Sequence, residues 1–249
     1  MVIEKCLRKY SDSYYEDMFG EAGANVIDSF NQASRFLSDF ALSEESYKDE
    51  CMPIMNKVFK FFQVGSFDIK SSPANILFQY GFNMSLQISS PMFTEETYLL
   101  MQNIFKVCGD KYFFIVEDRL EDAAFQLKIP VTTSWKQLLS GGFISAVLFN
   151  MPYNSYRIFG DSGSWGKWCD YESSWSDYEI FGSNLDIPEI REYNLQMALP
   201  VDDYLYMKSN IGFPKDIQVR CDTILSNGIA VGEGADAKSD SKEMTLYLK

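Results

Sequence analysis

The sequence predicts an α+β fold, with a mainly helical amino-terminal half around a small sheet, then an antiparallel, aromatic-rich sheet with late helices. Three observations carry this reading. Apolar residues recur at three- and four-residue steps through the first third. Short alternating or wholly apolar runs stand between residues 82 and 150. After Asn150, brief aromatic runs alternate with Gly, Ser and Asp before helical spacing returns. At 249 residues the chain can bury a substantial core, and a single domain over 1–249 is expected. Any sub-boundary falls near 65–75, where "GSFDIKSSP" gathers Gly, Ser and Pro.

Taken in order, "GANVIDSFNQASRFLSDFAL" places Val26, Ile27, Phe30, Ala33, Leu37, Phe40 and Ala41 on one helical face. "YKDECMPIMNKVFKFFQ" reads as a second helix, with Pro53 at either its first turn or a kink. "FNMSLQIS" alternates as a half-exposed strand does. Thr94, followed by Glu95 and Glu96, is an N-cap with acids in the first turn, and Gly109 supplies the stop. "KYFFIVE" and "GFISAVLFN" read as buried strands, separated by a helix over 134–139 capped by Ser134 or Thr133.

The runs "SYRIFG", "KWCDYE" and "SDYEIFG" suit an antiparallel meander. Helical spacing returns at "IPEIREYNLQM" and at "PKDIQVRCDTILSNG". Residues 233–243, with almost no apolar content, read as a mobile loop, and "MTLYLK" as a final strand or a tail.

Composition excludes whole classes of chemistry. The chain has no histidine, which removes Ser-His-Asp and Cys-His hydrolases, HExxH zinc enzymes and histidine phosphorelays. Five cysteines, no two within forty residues of each other, fit neither a metal knuckle nor a disulfide scaffold and read as reduced thiols. The amino terminus carries charge where a signal peptide would be apolar, and no apolar run reaches the length of a membrane span, so a soluble cytoplasmic protein is expected.

Two local motifs invite a catalytic reading and have plainer ones. Gly160-Asp161-Ser162-Gly163 surrounds the nucleophile in chymotrypsin-like proteases; without histidine, Lys167 would be the remaining base, and a turn is the simpler account. In "VEDRLEDAA", Glu117 and Glu121, like Asp118 and Asp122, would share a face if helical, a pattern more often solvated than catalytic. "GEGADAKS" lacks the spacing of a phosphate loop. No catalytic residue, metal site or cofactor is assigned.

Net charge is −13 and unevenly placed: −4 in residues 1–60, −1 in 61–160, −8 in 161–203 and zero in 204–249. Such a field repels nucleic acid and anionic membrane and attracts basic proteins. The same segment holds Trp165, Trp168, Tyr171, Trp175, Tyr178 and Phe181 among its acids. Trp and Tyr are common interface hot spots, and surrounding carboxylates steer a cationic partner. The expected partner-binding residues are therefore Trp165, Trp168, Asp170, Tyr171, Glu172, Trp175, Asp177, Tyr178 and Glu179. The competing reading makes alternate aromatics core and alternate acids the wet face of a sheet.

With its "FGDSGSWGKWCDYE…EIFG" stretch and acidic balance, the chain resembles the immunity proteins that bacteria make against their own polymorphic or contact-dependent toxins. The likeness covers about forty residues and overall character. It implies a cytoplasmic inhibitor that binds a basic toxin domain and occludes its active site without catalysis. An enzyme or binding protein that takes a sugar or amine in an aromatic-acidic cleft is the alternative, and an adaptor subunit a third. Oligomeric state is left open.

Overall fold

A computed structural model describes residues 31, 35–36, 38–60, 78–88, 93–118, 126–139, 155–170, 178–197, 199, 201–210, 222 and 247–248. Its centre is one seven-stranded sheet: β1 (Asn83–Ile88), β2 (Tyr112–Asp118), β3 (Gln126–Pro130), β4 (Ser155–Gly160), β5 (Trp165–Asp170), β6 (Tyr178–Ser183) and β7 (Tyr247–Leu248). The order is β3-β2-β4-β5-β6-β1-β7, and every pairing is antiparallel. The α+β class and the meander β4–β5–β6 thus stand as the sequence predicts. Strands from both halves of the chain join one sheet, because β1 pairs with β6 across almost a hundred residues of sequence.

The described helices are α1 (Glu44–Ser46), α2 (Met52–Val58), α3 (Glu95–Cys108), α4 (Trp135–Leu139), α5 (Pro188–Met197) and α6 (Val201–Asn210). Residues 31, 35–36 and 38–40 are also helical; the helix stops short of Ala41, which pairs with Leu127 in an antiparallel bridge and not on the helical face expected of it, and the other positions of that predicted helix lie outside the described residues. Between α1 and α2 runs a π-helical turn, Tyr47–Cys51, in which Met52 N–H reaches Tyr47 O. Pro53 follows at once. Proline has no N–H to return to residue 49 and its ring crowds that carbonyl, and the wide π turn accommodates both effects.

α3 starts and stops as its sequence dictates. Thr94 Oγ1 accepts from Thr97 N (3.1 Å) while Thr94 N donates to Thr97 Oγ1 (2.7 Å), a capping box in which threonine replaces the usual glutamate. Gly109 takes the left-handed conformation, φ 70°, and Asp110 N donates back to Phe105 O at 2.9 Å, which closes a Schellman turn. α4 is capped by Ser134, whose Oγ accepts from Gln137 N while Gln137 Oε1 accepts from Ser134 N.

Helices cover both faces of the sheet. On one face Phe113, Ile115, Leu127, Ile129, Tyr156, Ile158, Trp165 and Phe181 pack under α3 and α5. On the other, Phe114, Val116, Phe159, Trp168, Ile180, Met84 and Leu86 pack against Met55, Val58, Phe59, Phe78 and Tyr204. The link from α5 to α6 passes beside β1, where Leu199 N donates to Leu86 O at 2.9 Å.

Two readings change here, and one left open between strand and tail proves to be a strand. β1 is not half-exposed: Ser85 and Gln87 are as buried as Met84 and Leu86, because α5 lies over the face that alternation assigns to water. Glu117 and Asp118 end strand β2, so the helical pairing with residues 121 and 122 does not apply to them. "MTLYLK" contributes a strand, β7, paired to β1. The segments 142–150, 211–221 and 233–243, and the suggested boundary at 65–75, lie outside the described residues.

Candidate functional site

The acidic, aromatic segment enters the sheet as β5, and its alternation decides what each residue can do. Trp165, Lys167 and Cys169 point to the face under α3 and α5, while Trp168 points to the other; all four are buried, Trp165 completely. Trp165 stacks on Phe181 and packs beside Phe105, and its indole N–H donates to Asp110 Oδ2 at 2.7 Å. Trp165 and Trp168 are therefore core residues and present no surface to a partner, which corrects the sequence reading for both. Glu179 is corrected too: it is buried in β6 and paired with Lys167. Asp170 and Tyr178 close β5 and open β6 as a strand pair. Tyr171, Glu172, Trp175 and Asp177 lie between them, outside the described residues.

The pair Lys167–Glu179 begins a polar chain that the sequence reading missed. Its two side chains are 0% exposed. They stand diagonally across β5 and β6, since Cys169 faces Glu179 and Lys167 faces Phe181. The Lys167 ammonium also reaches the Tyr193 hydroxyl on α5 and sits over the Phe93 ring. Tyr193 OH donates to Gln87 Oε1 (3.2 Å), Gln87 Nε2 to Ser85 Oγ (3.2 Å), and Ser85 Oγ to Asn194 Oδ1 (2.6 Å).

Burial, the largest single influence, would push the Lys167 ammonium down; Glu179, Tyr193 and Cys169 together more than offset it, so the group stays protonated well beyond neutrality. Burial likewise pushes Tyr193 up to about 12, against the pull of Lys167. These groups are held in fixed states and hydrogen-bonded among themselves, an arrangement that aligns α5 on β1, β5 and β6 and offers no proton at neutral pH. The signal was present in sequence: a lysine that alternates with Trp165 and Cys169 on one face of a strand, and a glutamate set between Tyr178 and Ile180 in the next.

Ser162 occupies a turn, as expected. Gly163 N donates to Gly160 O at 3.0 Å, Gly163 has φ 69°, and Ser162 Oγ accepts from Ser164 N at 3.3 Å. Lys167, the remaining candidate base, is engaged with Glu179. Of the three glycines around this turn, Gly160, Gly163 and Gly166, only Gly163 has a positive φ. The other two serve close packing: a Cβ at Gly160 would enter the Asp110 carboxylate, and one at Gly166 would meet Val58 and Phe59.

Solvent-facing acids of the segment lie further along. Asp186, Glu192, Asp202 and Asp203 are exposed on and around α5 and α6. On α6, Asp202, Leu205, Tyr206 and Ser209 recur at helical spacing on one exposed face, Tyr206 being 69% exposed. Among the described residues no three or more Cys, Asp or Glu side chains gather as a metal site, and no helix is long and apolar enough to cross a membrane. No family model, no curated protein and no solved structure matches this chain.

Proposed function

We propose that this protein is an acidic cytoplasmic inhibitor that binds and occludes a basic protein partner, in the manner of the bacterial immunity proteins it resembles. One observation carries the reading. Residues 161–203 hold ten acids and two bases. Both bases are spent on ion pairs: Lys167 on buried Glu179, and Arg191 on Asp186, whose Oδ1 accepts from Nε at 2.7 Å. The segment's negative excess is thus carried by its remaining acids, Glu192, Asp202 and Asp203 among those facing water. Exposed Leu205 and Tyr206 beside them supply the apolar and aromatic contact that charge alone does not.

Expressed with an affinity tag in its native cell and purified at low salt, the chain should retain a stoichiometric basic protein that high salt releases. With that partner in hand, reversing Asp202 and Asp203 to lysine should slow association several-fold at low salt. Purification without a partner, or with a bound small molecule, would overturn the proposal in favour of ligand binding or catalysis.

A further inference from the structure

The inner side of α6 fixes what its outer side presents. Just ahead of the helix, Leu199 N is tied to Leu86 O on β1, and within it Tyr204 is fully buried in the aromatic core, its hydroxyl donating to Asp222 Oδ1 at 3.2 Å. A helix turns by about 100° per residue, so an inward Tyr204 sends Asp202, Tyr206 and Ser209 to within about 40° of the opposite direction, with Asp203 and Leu205 on the two flanks. All five are exposed. Tyr206 stands four residues after Asp202 and three after Asp203, the spacing at which helical side chains are neighbours, with Cβ atoms about 5–6 Å apart. Helical side chains lean toward the N-terminus, which sets Tyr206 toward the turn that carries the two carboxylates.

We infer that this face of α6 is a docking site for an arginine of the basic partner, its guanidinium laid over the Tyr206 ring and its N–H groups donating to Asp202 and Asp203. The inference rests on the proposal that α6 belongs to the partner-binding surface, and it adds which side chain that surface takes.

Charge complementarity calls for a cation, and the ring beside the carboxylates selects among cations. A guanidinium is planar and weakly hydrated on its faces, so it stacks on an aromatic ring while the N–H fork at its edge pairs with carboxylate oxygens; an ammonium offers a compact, strongly hydrated charge instead. Leu205, 47% exposed beside Tyr206, gives the aliphatic stem of the arginine an apolar surface to lie on. The fold makes contacts of this kind within itself. Lys128 Nζ pairs with Glu50 and stands 4.4 Å from the centre of the Tyr112 ring, and Lys60 Nζ stands 3.8 Å from that of Tyr80.

The test uses the full chain and needs no identified partner. Acetyl-Ala-Arg-Ala-amide and its lysine counterpart are each titrated into the protein at millimolar concentrations and followed by NMR at the Tyr206 ring and the amides of α6. The arginine peptide should bind there at least about twofold more tightly than the lysine peptide, in keeping with a cation–π contact at an exposed site. Tyr206→Leu should abolish that preference, and Asp202→Asn with Asp203→Asn should weaken the binding of both peptides. An equal response to the two peptides, or arginine-induced shifts of the same size at other exposed acids such as Glu95 and Glu96 on α3, would overturn the arginine site. Its failure is separable from that of the inhibitor reading. Absence of any partner on affinity purification defeats the inhibitor reading whatever the peptides do, whereas a basic partner held equally well by the wild type and by Tyr206→Leu defeats the arginine site alone.

Discussion

The two faces of β1, β5 and β6 are built by the same strands with the same alternation, yet they are packed by opposite chemistry. Under α5 lie Lys167, Glu179, Gln87 and Ser85, joined to Tyr193 and Asn194. On the reverse lie Trp168, Ile180, Met84 and Leu86, with Gly166 and Gly182 recessed so that Phe59 and Phe78 can approach the backbone. Apolar packing tolerates modest rearrangement at modest cost, whereas a buried polar chain is stabilising only while every member keeps its partner. The helix-covered polar face therefore dictates one position for α5, and the aromatic face supplies bulk burial.

The largest expected effect breaks the polar face. Lys167→Met or Glu179→Gln alone should cost about 3–5 kcal/mol in urea unfolding, since each leaves the other group buried without its counter-charge. The double variant Lys167→Met/Glu179→Leu should recover most of that loss. Additive losses would show that the pair acts as two independent groups and would dissolve the contrast between the faces. As the folded Lys167 value is raised, its contribution is fully present below the ordinary lysine value of about 10.4 and disappears only as strong alkali titrates it.

Next comes the aromatic face. Gly166→Ala and Gly182→Ala should each cost about 1–3 kcal/mol by overpacking, because a Cβ at 182 would stand 2.7 Å from Phe78 Cε1 and one at 166 would stand 2.8 Å from Phe59 Cζ. Shortening the opposing ring, Phe78→Leu in the Gly182→Ala background, should return part of the loss. A full loss unrelieved by the smaller side chain would place the strain in the backbone instead.

Smaller still is a single link of the polar chain. Ser85→Ala leaves the Asn194 amide oxygen and the Gln87 amide without the shared hydroxyl, an expected loss of about 1–2 kcal/mol by thermal unfolding. Ser162→Ala lies outside both faces and should change stability by less than about 0.5 kcal/mol, with any activity intact. A loss of turnover in a folded Ser162→Ala protein would overturn its assignment to a turn.

Much of the local structure was legible from residues alone. Thr94 and Gly109 bound α3, Ser134 starts α4, and the aromatic runs after Asn150 are β4, β5 and β6 in an antiparallel meander. These signals are local, because capping and turn chemistry act over three or four residues of backbone. The candidate surface was less legible. Trp165 and Trp168 look like hot spots in sequence and prove to be core, while Leu205 and Tyr206 drew no attention and are exposed. An amphipathic pattern states which residues share a face and leaves open what that face meets.

By itself, then, the sequence determined the α+β class, the absence of histidine chemistry, the concentration of acid in 161–203 and the helix and strand ends set by short-range hydrogen bonds. Only the tertiary structure decided that Ser85 and Gln87 turn toward α5 and not toward water, that Lys167 finds Glu179, and that Asp110 finds the Ser162 N–H and the Trp165 indole. Burial is a property of what packs on a face, and a charge accepts burial only where a partner from another part of the chain arrives to meet it.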